Sequence, residues 1–151
     1  MNWYFLRHAK TEREAQTGKD FDRALASKGK QQVTELLPML SSYPIRKVVC
    51  SSAIRTRQTL SGLHSLKGIE TIYSDELYFA TLDQWECVLK EHAKDHCLFI
   101  GHNDGISACL SWLTQEEVYL QTAGFIHVTF TAGGPRFLAS GTAVINHRFR
   151  P

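Results

Sequence analysis

Short apolar runs alternate with amphipathic stretches along most of the chain. Trp3–Leu6 has the length and character of a buried strand. Within Ser27–Ser42, Val33, Leu36, Leu37 and Leu40 recur at the i, i+3, i+4, i+7 spacing of one helix face, with Ser27 as N-cap. Pro38 interrupts that pattern. It has no N–H to donate and its ring crowds the preceding turn, so it predicts a kink or an end near Leu37. Arg46–Cys50, centred on Val48 and Val49, is a second strand, and Ser51 and Ser52 offer N-caps for a helix from Ala53 to Leu66. Glu70–Tyr73 is a further short strand. Thr81 caps a helix in which Leu82, Trp85, Val88, Leu89 and His92 share a face. Cys97–Ile100 is again apolar, and Gly101-His102-Asn103-Asp104-Gly105 turns from it into a helix carrying Ile106, Leu110 and Leu113. Thr114-Gln115-Glu116-Glu117 has the form of a capping box for a short helix.

The last part of the chain changes period. Phe125–Thr131 and Arg136–Asn146 read as strands around Ala132-Gly133-Gly134-Pro135, a hairpin loop. The Gly133-Gly134 pair is turn chemistry, because no strand-to-helix context surrounds it. The order is βαβα-like with an antiparallel ending. This predicts an α/β three-layer sandwich: a mostly parallel central sheet, helices on both faces and a C-terminal antiparallel addition. With 151 residues, 1–151 is expected to form one domain with a substantial core.

Composition changes this picture little. The chain is 43% apolar and 21% charged, with a formal net charge of +2 and basic and acidic residues interspersed. No Lys/Arg block points to nucleic acid. Met1–Leu6 meets Arg7 and His8 too soon for a signal peptide, and no apolar run approaches the ~20 residues of a membrane span. Cys50, Cys87, Cys97 and Cys109 form no C-x-x-C pair and read as buried, reduced side chains of a cytoplasmic protein. His64, His92, His96, His127 and His147 have no metal-ligand spacing and read as structural or surface residues; Trp3, Trp85 and Trp112 read as core. No metal and no cofactor is expected.

The candidate chemistry lies at strand ends. In an open parallel sheet, ligands bind beyond the carboxyl ends of the strands. Here those ends carry Arg7-His8, Ser51-Ser52 and Gly101-His102, and Arg55 falls in the first turn after Ser52. Two imidazoles and two guanidiniums can therefore meet near helix N-termini that favour anions. That set suits a phosphoryl group. Guanidiniums clamp its oxygens through paired charge-assisted hydrogen bonds. A neutral imidazole at His8 is a competent nucleophile near pH 7, and His102 can donate to an oxygen as charge grows.

Three motifs carry a family resemblance. Leu6-Arg7-His8-Ala9-Lys10-Thr11 resembles the Arg-His-Gly signature of the histidine phosphatase superfamily. Ser51-Ser52-Ala53-Ile54-Arg55-Thr56-Arg57-Gln58-Thr59 resembles its Ser-Pro-x-x-Arg-x-x-Gln-Thr motif, and Gly101-His102-Asn103 its Gly-His-Asn/Ser motif. Small size and Asp22-Arg23-Ala24-Leu25-Ala26-Ser27-Lys28-Gly29 place the resemblance with the short phosphohistidine phosphatases of the SixA type. It spans residues 3 to about 145.

The resemblance implies that His8 is the phosphorylated nucleophile and that Arg7, Arg55 and His102 form the phosphate pocket. Thr11 and Asn103 fall within its motifs as candidate substrate-binding positions. It makes Arg23 a lip residue touching substrate; the alternative is a surface arginine paired with Asp20 or Asp22. Ala9 replaces the usual Gly, which makes a positive φ less comfortable there. Ala24 and Ala26 replace Pro and Thr, predicting a looser, uncapped loop. Ala53 replaces a Pro expected at N1. Asp104 stands where the subgroup often has Pro.

The general acid is open: Glu76, Asp75 and Asp104 are candidates, and so is the lack of any. The expected function is a metal-independent phosphohydrolase acting on protein phosphohistidine or a small phosphate ester. The alternatives are a phospho-ligand binding module without turnover and a mutase-type phosphotransferase, for which the chain is short.

Overall fold

The computed structural model describes residues 1–92, 94–130 and 138–151. The strands are β1 (Asn2–Arg7), β2 (Lys47–Ser51), β3 (Glu70–Ser74), β4 (Cys97–Gly101), β5 (Phe125–Phe130) and β6 (Ala143–Phe149); the helices are α1 (Ser27–Leu40), α2 (Ile54–Gly62), α3 (Leu82–His92) and α4 (Gly105–Thr114). One six-stranded sheet has the order β3-β2-β4-β1-β5-β6. β3, β2, β4 and β1 run parallel, and β5 and β6 add in antiparallel sense, as expected for the α/β class.

Alternation along the central strands fills two cores. Trp3, Phe5, Val49, Cys97 and Phe99 face α3 and α4, together with Trp85, Leu89, Ile106 and Leu110. Tyr4, Leu6, Val48, Cys50, Leu98 and Ile100 face α1 and α2, with Val33, Leu36, Leu40 and Leu60. A strand buried on both faces reads as a continuous apolar run, which is why Trp3–Leu6 lacks a polar position. β1 and β4 are neighbours, yet the chain leaves β1 for α1 on one face and leaves β4 for α4 on the other. Their carboxyl ends therefore open a crevice at a topological switch point, with Arg7 in register with Gly101.

Several local expectations differ from the structure. Ala26, not Ser27, is the N-cap of α1, and no side chain caps it. Pro38 lies within α1, which continues to Leu40: the proline removes one N–H from the ladder, while the core contacts of Leu36 and Leu40 hold the last turn in place. Neither Ser51 nor Ser52 caps α2. Ser51 closes β2, and Ser52 gives its hydroxyl to Asp75. α2 ends at Gly62, and a 3-10 turn, His64–Leu66, follows; Leu63 turns away from helical geometry to bury its side chain.

Thr114-Gln115-Glu116-Glu117 starts no helix. It ends α4, with Gln115 in left-handed backbone at φ +55° as its C-cap. β6 begins at Ala143 and runs to Phe149, rather than spanning 136–146, because it pairs with Phe125–Phe130 through a register irregularity at His127/Val128. The loop at 132–135 and residues 131, 136 and 137 lie outside the described residues. Thr81 does cap α3: its Oγ1 accepts from the Gln84 N–H at 3.4 Å, and Gln84 Oε1 accepts from the Thr81 N–H at 2.9 Å. Cys50, Cys97 and Cys109 are buried, but Cys87 is exposed on α3; all four are free. Trp3 and Trp85 are fully buried, and Trp112 packs at the rim. Among the described residues, no helix is long and apolar enough to cross a membrane.

α1 meets the chain just beyond His8 at Gly29, where a Cβ would lie 2.0 Å from the Lys10 carbonyl oxygen. Backbone cannot yield there as a flexible side chain can. Gly29→Ala is expected to lose about 1–3 kcal/mol of stability, read as a lowered urea midpoint. Gly62→Ala should lose less, because its Cβ meets only the Val33 side chain.

Candidate active site

His8 follows β1 directly, and backbone bonds splice it into the sheet. Its N–H donates to Gly101 O at 3.2 Å and its carbonyl accepts from the Ala123 N–H at 3.0 Å. α2 holds the next residues: Thr59 Oγ1 accepts from the Ala9 N–H at 3.0 Å, and Gln58 Oε1 accepts from the Leu25 N–H at 2.7 Å. The Gln-Thr of the second motif therefore positions the segments around His8. Ala9 is fully buried and its backbone is not left-handed, so the methyl that replaces Gly fits without strain. The loop 8–26 closes on itself through a bridge between Thr11 and Leu25.

The four core residues converge. The rings of His8 and His102 lie 5.2 Å apart. His8, 8% exposed, donates from Nδ1 to its neighbour Ala9 O at 2.8 Å, and its Nε2 lone pair has no hydrogen-bond partner among the described residues. Arg55 is 2% exposed at the start of α2. Its Nε–H donates to His102 Nδ1 at 3.2 Å, so the His102 proton sits on Nε2 and donates to Ser51 Oγ at 2.8 Å. Arg55 Nη1 donates to Asp20 O at 2.7 Å and Nη2 to Asp20 Oδ2 at 3.0 Å. Among the described residues, one N–H on each Nη is thereby left over. Arg7 Nη1 donates to Leu120 O at 2.9 Å, while its Nε is buried without a partner among the described residues.

Arg23 pairs with Asp20, not Asp22: Nη1 donates to Asp20 Oδ1 at 2.9 Å, Nη2 to Thr11 Oγ1 at 2.6 Å and Nε to Glu12 O at 2.9 Å. It is nonetheless near enough for its charge to act on His8. Thr11 is spent on Arg23. Asn103 is spent on structure: Nδ2 donates to Leu120 O at 2.8 Å and Oδ1 accepts from Ser107 Oγ at 2.6 Å. Asn103 and Arg7 thus share one carbonyl acceptor.

Of the candidate acids, Asp75 and Glu76 are exposed on a 3-10 turn after β3, and Asp75 accepts from Ser52. Asp104 is at the start of α4 and acts electrostatically on Arg7. Of the other histidines, Tyr4 pairs with His96 at 2.8 Å, Tyr43 with His147 at 2.7 Å and Asn2 with His127 at 2.9 Å, while His64 is exposed. Among the described residues no three His, Cys, Asp or Glu side chains are grouped so as to hold a metal ion.

Asp20 and Tyr78 are the residues that sequence reasoning underrated. Tyr78 donates its hydroxyl to Asp20 Oδ2 at 2.8 Å, and the Arg55 guanidinium carbon lies 5.6 Å from the Tyr78 ring and 5.7 Å from that of Phe79. The Asp-x-x-Arg spacing from Asp20 to Arg23 was the available signal.

Electrostatics follow from this packing. Burial, and then the charges of Arg55, Arg7 and Arg23, push the His8 imidazole down to about 4 despite its bond to Ala9 O. Burial, His8 and Arg55 push His102 down to about 2. Burial works against ionisation of Asp20, but its bonds to Arg23 and Tyr78 and the charge of Arg55 bring it down to about 2. Burial also lowers Arg7. Both rings are neutral at physiological pH, beside guanidiniums with unspent N–H donors. Such a site can hold a tetrahedral anion and offer it a nitrogen lone pair.

Residues 3–96 match the family model of the histidine phosphatase superfamily (branch 1), and the chain belongs to that superfamily. Its fold is similar to that of a candidate phosphohistidine phosphatase SixA from Nakamurella multipartitia, with TM-score 0.86 and 25% identity over 99% of this chain and 95% of that one. The corresponding protein of Agrobacterium tumefaciens aligns with TM-score 0.85 and 22% identity, over 99% and 97% of the two chains. The protein histidine phosphatase SixA complexed with tungstate aligns with TM-score 0.75 and 18% identity, over 98% and 96%. No curated protein sequence matches the chain significantly.

The neutral rings carry a cost that pH reveals. An unfolded chain protonates each imidazole near 6.5, whereas the folded chain does so near 4 at His8 and near 2 at His102. Between those values the unfolded state binds more protons, so stability falls as pH drops from 6.5 towards 4. Asp20 contributes only below its ordinary 3.8. Urea midpoints measured across that window should fall for the wild type and fall less steeply for His8→Gln; equal slopes would contradict buried neutral rings.

Proposed function

We propose that the protein is a metal-independent phosphohydrolase that works through a phosphohistidine on His8. The observation that carries this reading is the state of His8: Nδ1–H is tied to Ala9 O, Nε2 is unshared, and burial with neighbouring arginines keeps the ring neutral. A phosphoryl group held by the spare N–H donors of Arg7 and Arg55 meets the Nε2 lone pair in line. The new P–N bond forms as the bond to the leaving group breaks, and the charge gained by the imidazole is shared with the Ala9 carbonyl. Water then attacks phosphorus, the P–N bond breaks, inorganic phosphate leaves and neutral His8 returns. His102, fixed between Arg55 and Ser51, braces Arg55 beside His8.

The substrate class follows from the leaving group. An alkoxide needs a proton from a strong acid, and among the described residues none of the three carboxylate candidates hydrogen-bonds to His8 or His102: Asp75 accepts from Ser52, Glu76 is exposed, and Asp104 acts on Arg7. An imidazole, with a free pKa of about 6.5, leaves already protonated. We therefore read the substrate as phosphohistidine on another protein, or an activated phosphate ester, in a cytoplasmic setting that suits four free cysteines. The relatives described as phosphohistidine phosphatases share the fold and are consistent with that choice.

The assay is para-nitrophenyl phosphate with chelator present. Activity is expected to persist with chelator and to fall by at least about 10³-fold in His8→Ala; retained activity in that variant would exclude His8 as nucleophile. Phosphohistidine should exceed a simple alkyl phosphate in kcat/KM, and the reverse order would overturn the substrate class. Binding of phosphate with no turnover of any ester would instead indicate a phospho-ligand binding module.

A further inference from the structure

Phe79 bears two folding costs at once. Its φ is +51°, a left-handed backbone that a bulky side chain adopts only under constraint, and its ring is 56% exposed. The flanking residues show where the constraint comes from. Leu77 and Ala80 are buried in the core between β3 and α3, so the two residues between them must bulge outward. Nothing in that packing requires an aromatic ring at the tip; a Gly or Asn would take the turn with less strain.

The ring stands at the mouth of the site. Its centroid is 4.5 Å from that of Tyr78 and 5.8 Å from that of His102, and the Arg55 guanidinium carbon is 5.7 Å away. Phe21 continues the aromatic surface, 5.0 Å from Tyr78 and edge-on to it. His8 and His102 are almost wholly buried, so a group transferred in line to His8 expels its leaving group towards solvent, past this lip.

We infer that Phe79, backed by Tyr78, is a platform on which a flat leaving group stacks: a heteroaromatic ring joined to phosphorus through nitrogen, or an aryl ring joined through oxygen. This deepens the phosphohydrolase reading and rests on it. The Arg7 and Arg55 donors recognise only the phosphoryl oxygens; Phe79 recognises what that phosphoryl group is attached to. An offset aromatic pair adds about two- to tenfold in affinity beyond the area it buries.

Equilibrium binding of non-hydrolysable phosphonates isolates this contact. Phenylphosphonate, cyclohexylphosphonate and methylphosphonate are titrated calorimetrically into the full chain and into Phe79→Leu and Phe79→Tyr. The wild type should bind the phenyl compound about two- to tenfold more tightly than the cyclohexyl one, which matches it in size but has no π face. Phe79→Leu should erase that preference while methylphosphonate affinity stays within about twofold, and Phe79→Tyr should keep it. Equal affinity for the two rings in the wild type overturns the platform. So does a Phe79→Leu variant that weakens all three alike, which would mean that the ring only shields Arg55. Clear ring preference without turnover of any ester sinks the phosphohydrolase reading and leaves the platform standing. Turnover without ring preference does the reverse, and the absence of both phosphonate binding and ester turnover sinks both.

Discussion

The site depends on burying the Arg55 guanidinium without losing its charge. It sits almost wholly out of solvent beside two other arginines. A buried charge is tolerated when it is paired with an opposite charge and hydrogen-bonded. Asp20 supplies both: its carboxylate balances the charge, and its carbonyl takes a second N–H. His102 takes a third through Nδ1, which is possible only while that ring is neutral. The tautomer of His102 thus follows from what Arg55 needs, and the bond to Ser51 follows from the tautomer; its low proton affinity comes first from burial, then from His8 and Arg55. Tyr78 and Arg23 then hold Asp20 in place.

The same cation shapes His8. Its ring loses proton affinity first to burial and then to the field of three arginines. A free imidazole near pH 6 would be largely charged and useless as a nucleophile. Here the free lone pair persists far into acid, and the Nδ1–H bond to Ala9 O decides which nitrogen carries it. A phosphate dianion entering the site would reverse part of the arginine contribution. Protonation of His8 and anion binding are therefore coupled, as are the stability and pH of the free chain.

The fold was legible wherever one strand or helix face carried the signal. Trp3–Leu6, Val48-Val49 and Cys97–Ile100 are buried on both faces of a parallel sheet, and apolar runs of that length have few other readings. His8, Arg55 and His102 were legible because strand ends of a parallel sheet share one edge. The errors fall where tertiary contact outweighs local preference. Ser51 and Ser52 have good capping side chains, but His102 and Asp75 engage them instead. Asp20 has partners 35 and 58 positions away, and no spacing rule reaches that far. Cys87 reads as apolar by type, yet it lies on the exposed side of α3. Phe79 carries no signal in the sequence pattern, because its significance lies in a backbone angle.

A cage of guanidinium and imidazole groups treats all phosphoryl groups alike. Its donors address three oxygens that every phosphate monoester and phosphoramidate presents, so its binding energy is uniform across substrates and gives no selectivity. Discrimination must come from outside it. One source is chemical: without a strong acid beside the leaving atom, poor leaving groups are slow whatever their affinity. The other is geometric and lies at the lip, where Tyr78, Phe79 and Phe21 form one aromatic surface. Both select in the same direction, since imidazole and activated aryl oxygens leave readily and also present a flat face. A site assembled this way needs no deep substrate pocket. If the substrate is a phosphohistidine on another folded protein, as proposed, the departing ring is the part that reaches this lip.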